Sequence, residues 1–435
     1  MSISLFLKNI NCHEKSIYFH KLLVISRSET GVLSSAPNNY FDTMKTLKIR
    51  NFGPINEADI EMSRINLIIG MQSSGKSCVM MISCFCSWVE KRIALRQSPS
   101  EFENGTAFLD LMTSYYHSKG YVHPDTYIAY ETDFMKFSYD HSSKAFMYSK
   151  KRHYWSYRRP KVSYVPAERI MISLVSNWSR LEIGYDNILD FKEDWDTARK
   201  YMKNEQNILG TGISYEYDEV AALDSIITPS GKKLELTNSS SGIQSLIPQF
   251  VLLDYLQRGI YNDEKFDNDK TLAKKQLNKN LLSVLYERNY NKKSIGSDLN
   301  AARVVHMEGQ DYVFDNEKAA KRFIKEAGYL LKTDHAEIFL EEPESNLFPP
   351  TQFQLMDWIL EMAKDKKHKN LFFIATHSPY ILSHLLQENL KEFRLYLTYP
   401  ADNGLYNVKM ATDEEIQQIY DNGSDAFFNF DAIVE

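Results

Sequence analysis

Apolar positions recur along this chain with two different periods. From Lys45 to Ile55, the run Lys-Thr-Leu-Lys-Ile-Arg-Asn-Phe-Gly-Pro-Ile alternates apolar and polar residues. That is the pattern of an opening strand with one buried face. Three other runs are short and almost wholly apolar: Ile65–Ile69, Ala336–Leu340 and Leu371–Ala375. Strands buried on both faces of a parallel sheet read this way. An apolar helical stretch follows the first of them through Trp88, and another runs through Leu253. Strands and helices mixed in this manner predict an α/β fold, a mixed or parallel sheet with flanking helices. Between Arg169 and Leu236 the spacing of Trp178, Leu181, Ile188, Phe191 and Trp195 is helical and predicts a helical insertion, its aromatic residues serving as core. More helices are expected from Pro248 to Leu331, with the Lys-rich stretch 263–293 partly exposed.

Composition narrows the class without changing this picture. At 435 residues the chain is about three times the ~150-residue domain size, so several domains or one large domain with insertions is expected. Apolar residues at 43% and charged residues at 25% are ordinary for a globular protein and exclude disordered, collagenous and disulfide-scaffold classes. The net charge of -6, from 51 Lys+Arg and 57 Asp+Glu, argues against a globally basic nucleic-acid coat. No run of ~18 apolar residues predicts a membrane span. Cys12, Cys78, Cys84 and Cys86 lack the paired spacing of a zinc site and read as buried free thiols in a reducing cytoplasm. Residues 1–43 carry no charged n-region and no cleavage-site pattern. A second methionine, Met44, immediately precedes the opening strand, so residues 1–43 are expected to be an upstream extension that folding does not need, the alternative being a genuine short extra element.

Chemistry enters directly after the strand Ile65–Ile69. Gly70-Met71-Gln72-Ser73-Ser74-Gly75-Lys76-Ser77 is G-x-x-x-x-G-K-[ST], set between a strand and a helix. Glycines let backbone N–H groups face phosphates, and the helix N-terminus adds a favourable dipole. The Lys76 amine suits the β and γ oxygens, and the Ser77 hydroxyl suits Mg2+. The phosphate-binding set is therefore Gly70, Gln72, Ser73, Ser74, Gly75, Lys76, Ser77 and Cys78. The strand at 336–340 ends in Glu341-Glu342-Pro343. Ending at the same sheet edge, it would put Glu341 on the Mg2+ side and Glu342 in the place of the base that polarises water. The strand at 371–375 leads into Thr376-His377-Ser378-Pro379, where His377 could hydrogen-bond a γ-phosphate or orient Glu342. Ser239-Ser240-Ser241-Gly242-Ile243-Gln244 opens an apolar helix, a second place where free N–H groups and hydroxyls meet an anion.

Taken in order, the phosphate loop, the Ser-Ser-Gly-Ile-Gln helix start, Glu-Glu-Pro-Glu and Thr-His-Ser-Pro resemble the ABC-type ATPase superfamily. More narrowly they look like the SMC-like and OLD-like bacterial ATPases of DNA repair and phage defence, a branch that includes the ATPase subunits of Septu and PARIS systems. The segments Ile49–Ile55 and Tyr164-Val165-Pro166-Ala167-Glu168-Arg169 are similar to that group too. The resemblance implies an ABC-type head that binds and hydrolyses ATP with Mg2+. It implies a Walker A loop at Gly70, Gly75, Lys76 and Ser77 and Walker B at Glu341 and Glu342. It further implies a D-loop at Ser345-Asn346-Leu347 and a switch histidine at His377. Ser241, Gly242 and Gln244 match the signature loop that reaches the γ-phosphate of an opposite subunit, so a head-to-tail homodimer, or a higher homo-oligomer, around two ATP molecules is implied. Two residues depart from the superfamily pattern: Glu341 stands where Asp is usual, which fits slow hydrolysis, and Ile243 replaces the second signature glycine. No Q-loop glutamine is evident; Glu168 or Arg169 occupies that neighbourhood, unless both simply form a strand-end ion pair.

The domain division that follows is 1–43 extension, 44–170 lobe I, 171–235 helical insertion and 236–435 lobe II. At ~1.5 Å per residue a 30-residue arm reaches only ~45 Å, too short for the long coiled coils of SMC-type repair proteins. Between Lys144 and Lys161 the residues Lys150, Lys151, Arg152, Arg158 and Arg159 interleave with Tyr148, Tyr154, Trp155 and Tyr157. That stretch fits a DNA-binding surface and a solvated hairpin equally well. The residues after His377 are too few for a fused nuclease, and Asp413, Glu414 and Glu415 read as a helix cap or solvated face. The leading expectation is a cytoplasmic ATPase sensor or scaffold of antiphage defence controlling a separate effector, a nuclease or toxin. A stand-alone DNA-repair clamp is the alternative, and an importer subunit is disfavoured by the signature and the missing Q-loop.

Overall fold

The computed structural model describes residues 44–175, 184, 186–202, 205–261, 268–290, 303–365, 367–388, 392–423 and 427, without the side chains of 268–274. Residues 1–43, with Cys12 and the expected extension, lie outside the described residues, as do Trp178 and Leu181.

Among the described residues, eleven strands form one mixed sheet. In chain order they are β1 (Lys45–Phe52), β2 (Ile55–Met62), β3 (Ile65–Ile69), β4 (Val122–Glu131), β5 (Met135–Asp140), β6 (Ala145–Lys150) and β7 (Pro160–Val165). After a smaller sheet and a hairpin come β14 (His335–Glu341), β15 (Leu371–Ala375), β16 (Phe393–Pro400) and β17 (Tyr406–Met410). The spatial order is β6-β5-β4-β1-β2-β17-β16-β3-β15-β14-β7. The half containing β16, β3, β15, β14 and β7 is parallel, and the β6 to β2 half is antiparallel. The segments 44–170 and 236–435 thus contribute strands to the same sheet, with β3 seated between β15 and β16 and β7 beyond β14.

The apolar runs explain the layering. Successive side chains point to opposite faces of a sheet, so a strand buried on both sides needs both sets apolar. Ile68, Phe339 and Phe373 pack into one layer; Leu67, Ile69, Ile338, Leu340, Phe372 and Ile374 pack into the other. The first layer is covered by α1 (Lys76–Arg96) and α2 (Ala107–Tyr115). The second receives α3 (Met171–Leu174), α4 (Asn187–Tyr201) and α5 (Ser241–Arg258). Of the later helices, α6 (Asn268–Asn289) and α7 (Glu317–Leu331) lie on the first face. On the second are α8 (Pro349–Ala363), α9 (Pro379–Gln387) and α10 (Asp413–Asn422). The acids Asp413–Glu415 open α10, where Thr412 and Glu415 form a capping box.

The insertion is less helical than its spacing predicts. α4 is there, with Phe191 and Trp195 buried, but it is followed by β8 (Gln206–Asn207), β9 (Ser214–Asp218), β10 (Leu223–Ile227) and β11 (Lys233–Glu235) in a four-stranded antiparallel sheet. Turn chemistry prevails over helical spacing here: Gly231, at φ +79°, closes the β10–β11 turn, and Tyr215 and Ile226, paired across β9 and β10, are both buried. A hairpin of β12 (Arg303–Met307) and β13 (Gln310–Phe314) precedes α7.

A buried ionic group ties the phosphate-loop helix to the strand that carries the paired glutamates. The Lys45 ammonium of β1 donates to Glu337 of β14 at 2.5 Å and to Glu90 of α1 at 3.4 Å. Glu90 also accepts from Thr132 at 2.6 Å and Tyr130 at 3.3 Å, and His335 lies 3.2 Å from Glu337. Burial opposes charge on Lys45, but the two glutamates outweigh it and hold its pKa above the ordinary lysine value. Burial likewise opposes charge on Glu337, and Lys45 and His335 outweigh it, keeping this carboxyl below the usual range. Removing the cation strands two buried carboxylates. Lys45→Met is expected to cost about 3–5 kcal/mol in urea unfolding, whereas Lys48→Met, at an exposed pair with Asp59, should cost less than about 1 kcal/mol.

Candidate functional site

The phosphate loop follows from glycines at two places where nothing larger fits. Gly70 has φ +151°, and a Cβ there would lie 1.8 Å from the Thr398 hydroxyl. Gly75 has φ +92°, and a Cβ there would lie 2.2 Å from Ile55. Between them Ser74 is buried, donates to the Met71 carbonyl at 2.7 Å and meets Thr398 at 2.5 Å, so β16 braces the loop. Gln72 and Ser73 are exposed, and Ser73 takes φ +62°. α1 begins at Lys76, so the N–H groups of Lys76, Ser77 and Cys78 have no acceptor within the helix. The Cys78 side chain belongs to the core, and burial pushes its thiol up to about 12. Only its backbone N–H is therefore left at the mouth of the loop. The Lys76 ammonium donates to the loop's own carbonyls, Gly70 at 3.0 Å and Met71 at 2.6 Å. Burial brings its pKa down to about 8, against the pull of Glu342 and Glu344.

Parallel pairing brings the other elements to this edge. Glu341, the last residue of β14, is paired with Ala375 of β15, which in turn is paired with Ile68 of β3. The phosphate loop, the glutamates and His377 therefore all leave the sheet at the C-terminal ends of adjacent parallel strands. Burial raises the pKa of Glu341, while hydrogen bonding from the Ser77 and Tyr164 hydroxyls and the Ala167 N–H favours its charged form. Glu342 has φ +40°, a left-handed backbone unusual for glutamate. Its N–H donates to the Ala375 carbonyl at 2.8 Å, and its carboxylate accepts from Ser345 at 3.0 Å. His377 Nε2 lies 3.9 Å from the Glu342 carboxylate. Burial lowers the His377 pKa, Lys76 adds to the effect and Glu342 opposes it, so the imidazole is neutral at neutral pH. The backbone N–H of His377 donates to Glu344 at 2.7 Å, which links the strand end after β15 to the Glu-Glu-Pro-Glu turn.

The residue that holds this turn in place is Arg169, considered from the sequence only as a stand-in for a missing glutamine or one half of an ion pair. It is fully buried. Its guanidinium donates to the carbonyls of Glu341 at 2.8 Å, Glu342 at 2.6 Å and Pro166 at 3.2 Å. Burial lowers its pKa to about 10, opposed by Glu344, Glu342, Glu341 and Glu168, so it stays charged among them. Gln249 of α5 adds a bond to the Pro343 carbonyl at 3.1 Å. Neither Arg169 nor Thr398 carries a local signal for its role; Tyr-Val-Pro-Ala-Glu-Arg is the nearest hint.

The Ser241–Gln244 helix start lies against Ser345 and Asn346. Ser245 donates to the Ser345 carbonyl at 2.7 Å, and a Cβ on Gly242 would lie 3.1 Å from the Asn346 carbonyl. Gln244 is buried and turns back on the preceding loop, donating to Thr237 at 2.8 Å. Ser241, at the start of α5, is exposed. Among the described residues no hydrogen bond joins these three to Gly70–Ser77.

The basic and aromatic stretch is mostly spent inside the chain. Lys151 pairs with Glu131 at 2.8 Å, Arg158 with Asp334 at 2.8 Å and Lys161 with Asp194 at 2.5 Å. Arg159 donates to the Leu331 carbonyl at 2.8 Å. Tyr154 and Tyr157 are buried, Lys150 sits 4.2 Å over the Tyr154 ring, and Arg322 lies 4.0 Å over Trp155. The stretch locks the β6–β7 connection to α7 and the start of β7 to α4; Lys144, Lys150, Arg152 and Arg158 are its exposed cations.

Fold and site together define an α/β protein with a phosphate loop at the edge of a mixed sheet. Among solved structures, the SMC head domain from Thermotoga maritima aligns over 85% of this chain and 99% of that one, at 13% identity and a TM-score of 0.39. An SMC head bound to the C-terminal winged-helix domain of ScpA aligns over 86% and 99%, at 11% identity and a TM-score of 0.41. A Pyrococcus furiosus SMC head with an extended coiled coil, bound to the C-terminal domain of ScpA, aligns over 87% and 98%, at 11% identity and a TM-score of 0.32. No family model matches the chain, and no curated protein matches it. Among the described residues no helix is long and apolar enough to cross a membrane. The functional reading rests on the side chains described above.

Arg169→Gln removes a buried cation and leaves carbonyls of the glutamate turn without their donor. A loss of about 3 kcal/mol in urea unfolding is expected. Arg169→Lys should recover only part of it, because a single ammonium cannot reproduce the planar fork that spans both carbonyls.

Proposed function

We propose that this chain is a Mg2+-dependent ATPase whose nucleotide site is the shared edge of β3, β14 and β15. The observation that carries this reading is the register Ile68–Ala375–Glu341, which gathers phosphate loop, paired glutamates and histidine at one edge. The loop N–H groups and the α1 N-terminus form the cradle for the phosphates, and Lys76 moves from loop carbonyls to phosphate oxygens. Ser77 and Glu341, already in hydrogen-bonding contact, are a hard-oxygen pair suited to Mg2+. The ion would neutralise charge on the phosphates. Glu342 is the base that orients and polarises the attacking water, and neutral His377 offers a hydrogen bond from across the 3.9 Å gap. Glu341 is longer than the aspartate usual at its position, which supports slow turnover.

The exposed Ser241 and the N-terminus of α5 support a head-to-tail homodimer in which this helix meets the γ-phosphate on a second copy. A place in antiphage defence, with a separate nuclease or toxin as effector, rests on the motif resemblance alone. Purifying the Glu342→Gln protein with ATP from its native host and identifying its companions by mass spectrometry tests that assignment. A stoichiometric nuclease-like or toxin-like chain supports it, and DNA without a protein partner overturns it in favour of a repair clamp.

Two outcomes test the ATPase itself. Glu342→Gln is expected to keep ATP binding while turnover falls by about 10²–10⁴-fold, and to elute as a dimer with ATP in gel filtration; Lys76→Ala should lose binding and turnover together. Unchanged turnover in Glu342→Gln would remove the proposed base. The second outcome concerns pH. Phosphate favours the charged ammonium, so binding raises the Lys76 pKa from about 8 and takes up a proton when the pH lies above that value. Affinity should be full below pH 8 and fall as pH rises through it, by up to ~10-fold per unit. Titration with a fluorescent ATP analogue at several pH values reads this slope.

A further inference from the structure

Behind the phosphate-loop helix lies a cavity of about 280 Å³, walled by α1, α2, β7 and α4. None of Gly70–Ser77 lines it, so it is separate from the nucleotide site. Aromatic rings form part of its walls: Phe85 and Trp88 from α1, Tyr116 after α2, Tyr164 from β7 and Phe191 from α4. Ligand pockets of this construction combine apolar walls with a few placed polar groups.

The polar groups of this cavity are nearly all engaged with one another. Asp194 accepts from Lys161 at 2.5 Å and from Ser163 at 2.9 Å. Asp190 accepts from the Tyr115 hydroxyl. Glu193 is exposed. Lys91, in the C-terminal half of α1 and partly buried, has an ammonium with no hydrogen-bond or ion-pair partner among the described residues. The charged groups acting on it are Lys161 and Arg159 at the start of β7, Asp194 on α4 and Glu337 on β14. Burial lowers its pKa to about 8; Lys161 and Arg159 push the same way, and the two acids oppose them. A partly buried ammonium without a partner is costly, and an anion beside it would remove that cost.

We propose that this cavity binds a small aryl or acyl carboxylate, with Lys91 holding the carboxylate and the aromatic walls enclosing the apolar body. At about 280 Å³ the space lies at the small end for ligand pockets, which suits one or two rings or a short acyl chain. The cavity shares one residue with the contacts of the nucleotide site. Tyr164 packs edge-on against Tyr116 at 5.5 Å, and its hydroxyl hydrogen-bonds the Glu341 carboxylate. A bound ligand would press on the ring whose other end positions Glu341. This makes the cavity an effector site for the same edge; that consequence rests on the ATPase reading, whereas occupancy of the cavity does not.

Calorimetric titration of the full chain, without nucleotide, with phenylacetate, 1-naphthoate and octanoate tests the proposal, each beside its neutral amide. At least one acid should bind saturably at one site, with its amide at least tenfold weaker. Lys91→Met should weaken that acid at least tenfold, and Leu111→Trp, at a half-exposed position in the cavity wall, should block it while leaving the ammonium in place. Absence of saturable binding by all three acids would overturn the proposal. So would equal binding of acid and amide, or unchanged affinity in Lys91→Met. Unchanged far-UV circular dichroism and urea unfolding midpoints confirm that both variants are folded. Binding of a fluorescent ATP analogue to the same samples reads the ATPase proposal independently, since its failure there would leave the carboxylate result standing.

Discussion

The register of three parallel strands governs where the chemistry sits. Ile68, Ala375 and Glu341 are paired across β3, β15 and β14, and a slip of one residue would turn each strand's alternate side chains to the opposite face. That slip is blocked because both faces are filled. Leu67 and Ile68 point to opposite apolar layers, as do Ile338 and Phe339. The same packing that stabilises the sheet therefore sets the relative positions of loop, carboxylates and imidazole.

At the edge itself the backbone departs from ordinary strand geometry. Glu342 and Asn346 both have positive φ, and non-glycine residues held this way cost about 1–3 kcal/mol each. Interactions from three sides hold the Glu342 turn. The Ala375 carbonyl accepts its N–H, Arg169 donates to its carbonyl, and Gln249 donates to the next carbonyl at Pro343. Arg169 is buried among four carboxylates yet bonds to carbonyls, so its charge serves the acids at a distance while its donors satisfy the backbone. The Lys45–Glu90–Glu337 group acts at the opposite end of β14, near its start. Anchored at both ends, the strand presents Glu341 and Glu342 from a fixed base, as the roles proposed for them require.

Much of the sheet was legible because its strands are written locally. An alternating run at β1 and continuous apolar runs at β3, β14 and β15 leave little choice of structure. Residues 206–235 were harder to read, since the aromatic spacing before them suggested helix while turn residues and inward Tyr215 and Ile226 built a small sheet. The basic stretch of 144–161 was open to two readings for a different reason. Charge and aromatic content are visible in sequence, but their partners Asp334, Leu331 and Asp194 are supplied by distant segments.

By itself the sequence determined the phosphate loop, the paired glutamates and the histidine, because each is a contiguous set of residues whose geometry follows from neighbours in the chain. Gly70 and Gly75 had to be glycine for backbone reasons that any strand-loop-helix junction imposes. Tertiary structure alone decided strand order and the residues that brace the site. Thr398 reaches Ser74 from 324 positions away, and Arg169 reaches the Glu341 carbonyl across 172. Contacts at such separations leave no periodic trace, since any donor brought to that point by the fold would satisfy the same carbonyls.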